Sequence, residues 1–120
     1  MSLQAHDLRD GVRQLNNVAD SQALTDGATI AWNVAAGALG TVTLAGNRTL
    51  ATPTGLVAGK VYHLLITQDA TGSRTMTWPA IVKWAGATAP TLTITAARVD
   101  RISFLSDGTN LYGIATLDVR

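Results

Sequence analysis

Catalysis needs a nucleophile, a base or a metal held at a defined spacing, and few residues of this chain qualify. The histidines are His6, near the N-terminus, and His63, inside an apolar run. In principle His63 could join Asp100 and a serine in a triad, but no G-x-S-x-G elbow supports that arrangement. A strand histidine satisfied by a neighbour is the simpler reading. Paired carboxylates for glycoside hydrolysis need two acids facing one cleft. From residue 27 onward the acids are Asp69, Asp100, Asp107 and Asp118. Asp69 and Asp107 sit in turn clusters, where an Asp side chain accepts bonds from nearby backbone N–H groups. The segment Asp107-Gly108-Thr109-Asn110 has too few oxygen donors for a calcium loop. One histidine among scattered aspartates is no metal site. There is no phosphate-binding glycine loop. Asn47-Arg48-Thr49 fits a glycosylation sequon, which matters only in a secreted chain. The expectation is a protein that is not an enzyme and carries no cofactor and no metal.

Contact chemistry has better candidates. Trp78 and Trp84 flank Pro79, and such aromatics can stack on sugars, bury at an interface or fill a core. Arg98 and Arg101 flank Asp100 and suit either pairing within a sheet or a subunit contact. In the N-terminal segment Leu8, Val12 and Leu15 fall at helical spacing, with Leu3 before them. Gly11 and Asn16-Asn17 weaken that helix, and so short an element would not stand alone in water. Residues 1–26, which hold six of the charges, are therefore expected to be an arm or short helix that docks on the domain or orders on a partner.

The elements that would position these residues read as strands. Thr29–Asn33, Thr41–Leu44, Arg48–Leu50, Val61–Thr67, Thr75–Trp78, Ile81–Trp84 and Thr91–Thr95 are short extended runs between Gly, Pro, Asn and Asp clusters. Val61–Thr67 is nearly continuous in apolar residues, the pattern of a central strand covered on both faces. Arg98–Leu105 and Leu111–Leu117 flank a turn cluster and predict a hairpin. Thr-x-Thr alternation at 41/43, 75/77 and 91/93/95 places hydroxyls on one face, with Val42, Leu44, Met76, Trp78, Leu92 and Ile94 toward the core. The spacing is too irregular to predict a solenoid or propeller repeat. These features predict an all-β domain over 27–120, a β-sandwich or jelly roll.

Composition narrows the class. The 120 residues suit one core. A net charge of +1 offers nothing general to nucleic acid or an anionic membrane, and no run approaches the roughly 20 apolar residues of a spanning helix. There is no cysteine, which suits synthesis in a reducing cytoplasm, and no signal peptide is evident at the N-terminus. Charged residues are 14%, against about 25% in typical soluble domains, and glutamate is absent. Thr, Ala and Gly surfaces cost little to desolvate, so the balance suits faces that meet protein, or else a neutral monomer with a threonine-rich sheet face.

One stretch resembles a known group. Thr41 to Leu50 looks like a segment of many phage virion proteins. Gly59-Lys60-Val61-Tyr62, Gln68 to Thr75, Trp78, Lys83-Trp84, Ala89 to Leu92 and Asp107 to Gly113 follow in the same order. The resemblance spans about residues 41–113 and implies a structural module with no catalytic residues. Similar segments occur in tail, fibre, baseplate and head-associated proteins. For a short chain the first expectation is a homotrimeric capsid decoration (cement) protein of the virion, made in the host cytoplasm and contacting itself and the major capsid protein. The alternative is a tail-fibre or baseplate module that binds a host receptor or glycan. Leu3, Leu8, Val12, Leu15, Trp78, Trp84, Arg98 and Arg101 are the candidate contacts.

Overall fold

The structure, a computed structural model, describes residues 20–120. Nine strands form two sheets. The chain enters as β1 (Ser21–Ala23), β2 (Thr29–Ile30), β3 (Leu39–Leu44), β4 (Arg48–Leu50), β5 (Val61–Gln68) and β6 (Met76–Thr77). It continues as β7 (Val82–Lys83), a short 3-10 turn at Ala85–Ala87, β8 (Val99–Ser106) and β9 (Leu111–Thr116). The large sheet has the order β1-β3-β5-β8-β9-β7 and the small sheet the order β2-β4-β6. The described residues form an all-β sandwich.

The pairing inside that sandwich is unusual for the class. β1, β3 and β5 run parallel, with Ser21 opposite Leu39 and Leu39 opposite His63. β2, β4 and β6 are parallel as well. Parallel neighbours cannot be joined by a tight turn, so each connection must travel away and return. Here each return runs through the opposite sheet, and the chain alternates between the two for three turns. A jelly roll, antiparallel throughout, is not what forms. The intervening loops differ in length, which is why no fixed period was visible. The β8–β9 hairpin then extends the large sheet, with β8 antiparallel to β5 and β9 antiparallel to β8. It spans the turn cluster expected for it.

Alternation along these strands builds one core between the sheets. Ile30 and Leu50 from the small sheet meet Leu44, Leu64, Ile66, Ile102 and Phe104 from the large one, all at 2% exposure or less. Val42, Met76 and Leu92 are buried as expected, but Ile94 is 56% exposed. The reason is local. Thr91–Thr95 is not a strand. Its backbone is held instead by the Ser73 N–H, which donates to the Ile94 carbonyl at 2.7 Å, and by two buried side chains, Gln68 and Asp100. Gln68, at the end of β5, donates through Nε2 to the carbonyls of Arg74 and Thr93, both at 2.9 Å, and accepts from Arg74 N–H. Asp100, in β8, accepts from Thr93 N–H at 2.7 Å and from Asp118 N–H at 2.8 Å. Side-chain amide and carboxylate thus replace a missing strand neighbour, and Ile94 is released from the alternation.

The folded body also starts earlier than expected. Ser21–Ala23 pairs with β3, Leu24 is buried in the core, and Asp26 bonds Arg48 at 2.8 Å. Residues 20–26 therefore belong to the domain and not to an arm. The expectations for Leu3, Leu8, Val12 and Leu15 lie outside the described residues.

Gln68→Ala leaves three backbone groups at a sparsely solvated site without their partner. Each such loss costs about 1–3 kcal/mol, so urea denaturation should show a destabilisation of about 2–4 kcal/mol, with partial solvation of the freed groups lowering the sum. Thr43→Ala, at an exposed position on the neighbouring strand, should change stability by less than about 0.5 kcal/mol.

Candidate interaction surface

The residues able to do chemistry are occupied by structural tasks. His63 lies opposite Ser103 across the β5–β8 pair, and its Nδ1 shares a 2.9 Å hydrogen bond with the Ser103 hydroxyl. Asp100 points to the other face of the sheet, into the core, so the two cannot form a triad. Among the described residues no cluster of His, Asp or Glu could hold a metal ion. Asp69 Oδ1 accepts from Thr71 and Gly72 N–H, and its carboxylate pairs with Arg74 at 2.9 Å. Gly72 is needed there, because φ is +74° and a Cβ would stand 2.5 Å from the Ile94 carbonyl. Asp107 accepts from Thr109 and Asn110 N–H and from the Tyr112 hydroxyl. Both aspartates do the turn work expected of them.

These bonds set the charge states. The Arg74 guanidinium, then the Gly72 and Thr71 N–H groups, hold the Asp69 carboxyl down at about 2 from its ordinary 3.8. Asp26 is held below its usual value chiefly by Arg48, and Asp107 chiefly by the Asn110 and Thr109 N–H groups. The Asp107 carboxylate in turn raises the Tyr112 phenol.

The proposed contact residues separate into two groups. Trp78 and Trp84 are half-buried. Their rings meet edge to face at 5.2 Å, and each also packs on Phe104 at 6.1 Å. Trp32 and Tyr62 extend the same aromatic cluster. The Trp84 ring lies over Gly113 of β9, where a Cβ would come within 2.5 Å of it. These tryptophans thus help close the core at one end of the sandwich and do not form an open stacking platform. Arg98 does not pair with Asp100 but bonds Asp118 at 2.9 Å. Arg101 is exposed and makes no ion pair among the described residues.

Arg101 belongs to a surface that sequence reasoning did not assemble. On the outer face of the large sheet the register aligns Leu39, His63, Ser103 and Ile114 in one row. Leu65, Arg101 and Thr116 form the next row, and Val61, Leu105 and Tyr112 the row on the other side. Ile114 is 70% exposed, and Val61, Leu105 and Tyr112 are each about half exposed. Leu39, His63, Leu65 and Arg101 line a shallow hollow of about 280 Å³. β5 is the central strand its composition predicted, but only its inner face is covered by the described residues. The signal for this face was present in Val61, His63 and Leu65, the alternate positions of a run too apolar for a solvated strand.

Comparison with known families matches residues 24–110 to the family described as "Putative phage tail fibre C-terminal domain". The chain belongs to this family. It is a phage virion structural protein. The match begins at Leu24, the first buried residue after β1, and ends at Asn110, before β9, so it covers most of the two-sheet body. No curated protein and no solved structure matches the chain. Between the two locations expected from sequence, the family favours the tail fibre over capsid decoration.

Asp69 offers a direct test of the turn chemistry. Its folded carboxyl titrates below the unfolded one, so its contribution to stability is present above the ordinary value of 3.8 and is lost as pH falls toward about 2. Asp69→Asn keeps an oxygen for Thr71 and Gly72 but has no charge to lose. Denaturation curves across this acid window should fall less steeply for the variant than for the wild type.

Proposed function

We propose that this domain is a non-enzymatic module of a phage tail fibre, which acts by assembling with further copies and by contacting the host surface. The family match over residues 24–110 carries the reading. The site geometry supports it, because every aspartate able to serve as acid or base within residues 27–120 is bonded to backbone N–H groups or to an arginine. Several weak contacts made by adjacent copies add through effective concentration, so a fibre end needs no deep ligand pocket to hold a surface firmly. The two tryptophans stiffen the end of the sandwich where Phe104 sits and serve recognition only through that rigidity.

Antibody labelling of intact virions, viewed by electron microscopy, tests the location. Label on the tail fibres is expected, and label on the head shell would return the capsid reading. In parallel, purified protein added to host cells before infection should slow phage adsorption in proportion to its concentration. Unchanged adsorption at saturating protein would remove host contact from the proposal.

A further inference from the structure

We infer that the hollow between the loops that enter β3 and β5 binds one ring of an acidic sugar, with Lys60 and the Tyr62 hydroxyl holding its carboxylate. The inference rests on the fibre reading, in which the domain contacts the host surface, and names the chemistry of that contact.

The winding builds the hollow. Residues 31–38 and 51–60 are successive crossovers from the small sheet to the large one. β3 and β5 are parallel neighbours, so both crossovers arrive at the same end of the sandwich and lie side by side. Backbone bonds tie them together there. Val34 N–H donates to the Thr54 carbonyl at 2.9 Å, and Thr54 N–H donates to the Trp32 carbonyl at 3.0 Å. Both loops, with Asp20, Lys60 and Tyr62, line a hollow of about 280 Å³. Small-molecule sites begin at roughly 300 Å³, so this one has room for a single ring.

Its donors are unused. Tyr62 is 2% exposed. Its hydroxyl accepts from Val57 N–H at 3.0 Å but donates to no acceptor among the described residues. Buried donors are as a rule paired, so this proton calls for an acceptor from outside the chain. Gly37 is buried as well, and its N–H has no acceptor among the described residues. Lys60 has its backbone fixed by bonds with Val57 and Ser106, and its ammonium makes no ion pair among the described residues. An anionic oxygen suits such a set of donors, and charge strengthens the bonds it accepts.

Asp20 selects the rest of the ligand. It lines the same hollow and is not paired with Lys60. Its carboxylate accepts hydroxyl protons, which a sugar has and a bare anion lacks. It also limits the charge, because one cation beside one anion favours a monoanion. A carboxylate carries one charge, whereas a phosphate monoester carries about −1.5 to −2 near neutral pH and would turn the excess toward Asp20. The Tyr62 ring is too buried to stack on a sugar, so each site binds weakly, and adjacent copies in a fibre add their sites through effective concentration.

Amide NMR titrations of the isotope-labelled full chain test this. Glucuronic acid should move the Gly37, Ala38 and Lys60 resonances and saturate with a Kd of about 1 mM, an affinity ordinary for a ligand of its size. Glucose, acetate and glucose 6-phosphate should each bind at least about fivefold more weakly. Lys60→Gln should weaken glucuronic acid at least about tenfold, and Tyr62→Phe, which keeps the ring, at least about threefold. Ala36→Trp, which places an indole at the exposed mouth of the hollow, should abolish binding. Arg101→Gln, on the outer face of the large sheet, should change nothing. Circular dichroism checks that each variant folds. No saturable shift, glucose or acetate binding as tightly as glucuronic acid, or full affinity in Lys60→Gln overturns the site. Tighter binding of glucose 6-phosphate overturns the carboxylate assignment. A chain that fails these titrations yet labels fibres and slows adsorption would sink the sugar site and leave the fibre reading standing.

Discussion

Parallel pairing of β1 with β3 and β3 with β5 is the constraint from which the rest of the molecule follows. A hairpin cannot join parallel neighbours, so the chain must leave the large sheet and come back. It does so through β2, β4 and β6, which thereby line up as a second parallel sheet. The two sheets face each other because each crossover is short, and the alternating apolar positions of both end in the same space. One core results, with Ile30 and Leu50 on one side and Leu64, Ile66 and Ile102 on the other.

Winding of this kind leaves ends, and the ends are where polar side chains enter the interior. The segment Thr91–Thr95 is paired with no strand. The Gln68 amide and the Asp100 carboxylate take over, and both are almost fully buried at 3% and 2% exposure. Such groups are tolerated inside only when fully bonded, and each has its partners among the described residues. The opposite end is closed by packing, where Trp78, Trp84 and Phe104 fill the space beside Gly113. Bracing at both ends holds the sheets in place around their shared core.

Sequence and structure agree most closely where the signal is local. The β8–β9 hairpin was readable because its turn residues and both flanking strands are adjacent in the chain. Asp69 and Asp107 were readable as turn acceptors for the same reason, since an aspartate reaches N–H groups two or three residues on. β1 was missed because Ser21-Gln22-Ala23 has no apolar alternation and becomes a strand only by pairing with β3. Thr91–Thr95 failed in the opposite sense. It alternates cleanly, but its backbone is bonded by the Gln68 and Asp100 side chains of β5 and β8 in place of a strand neighbour.

By itself, the sequence determined that residues 27–120 form an all-β domain, that β5 is central, and that Asp69 and Asp107 sit in turns. Those properties depend on residue type and on neighbours a few positions apart. Only the tertiary structure decided that the strands run parallel, that Asp100 points inward while Arg101 points out, and that Leu39, His63, Leu65 and Ile114 share one open face. Each of these depends on register between strands distant in the chain, and a shift of one residue would turn every side chain to the other side.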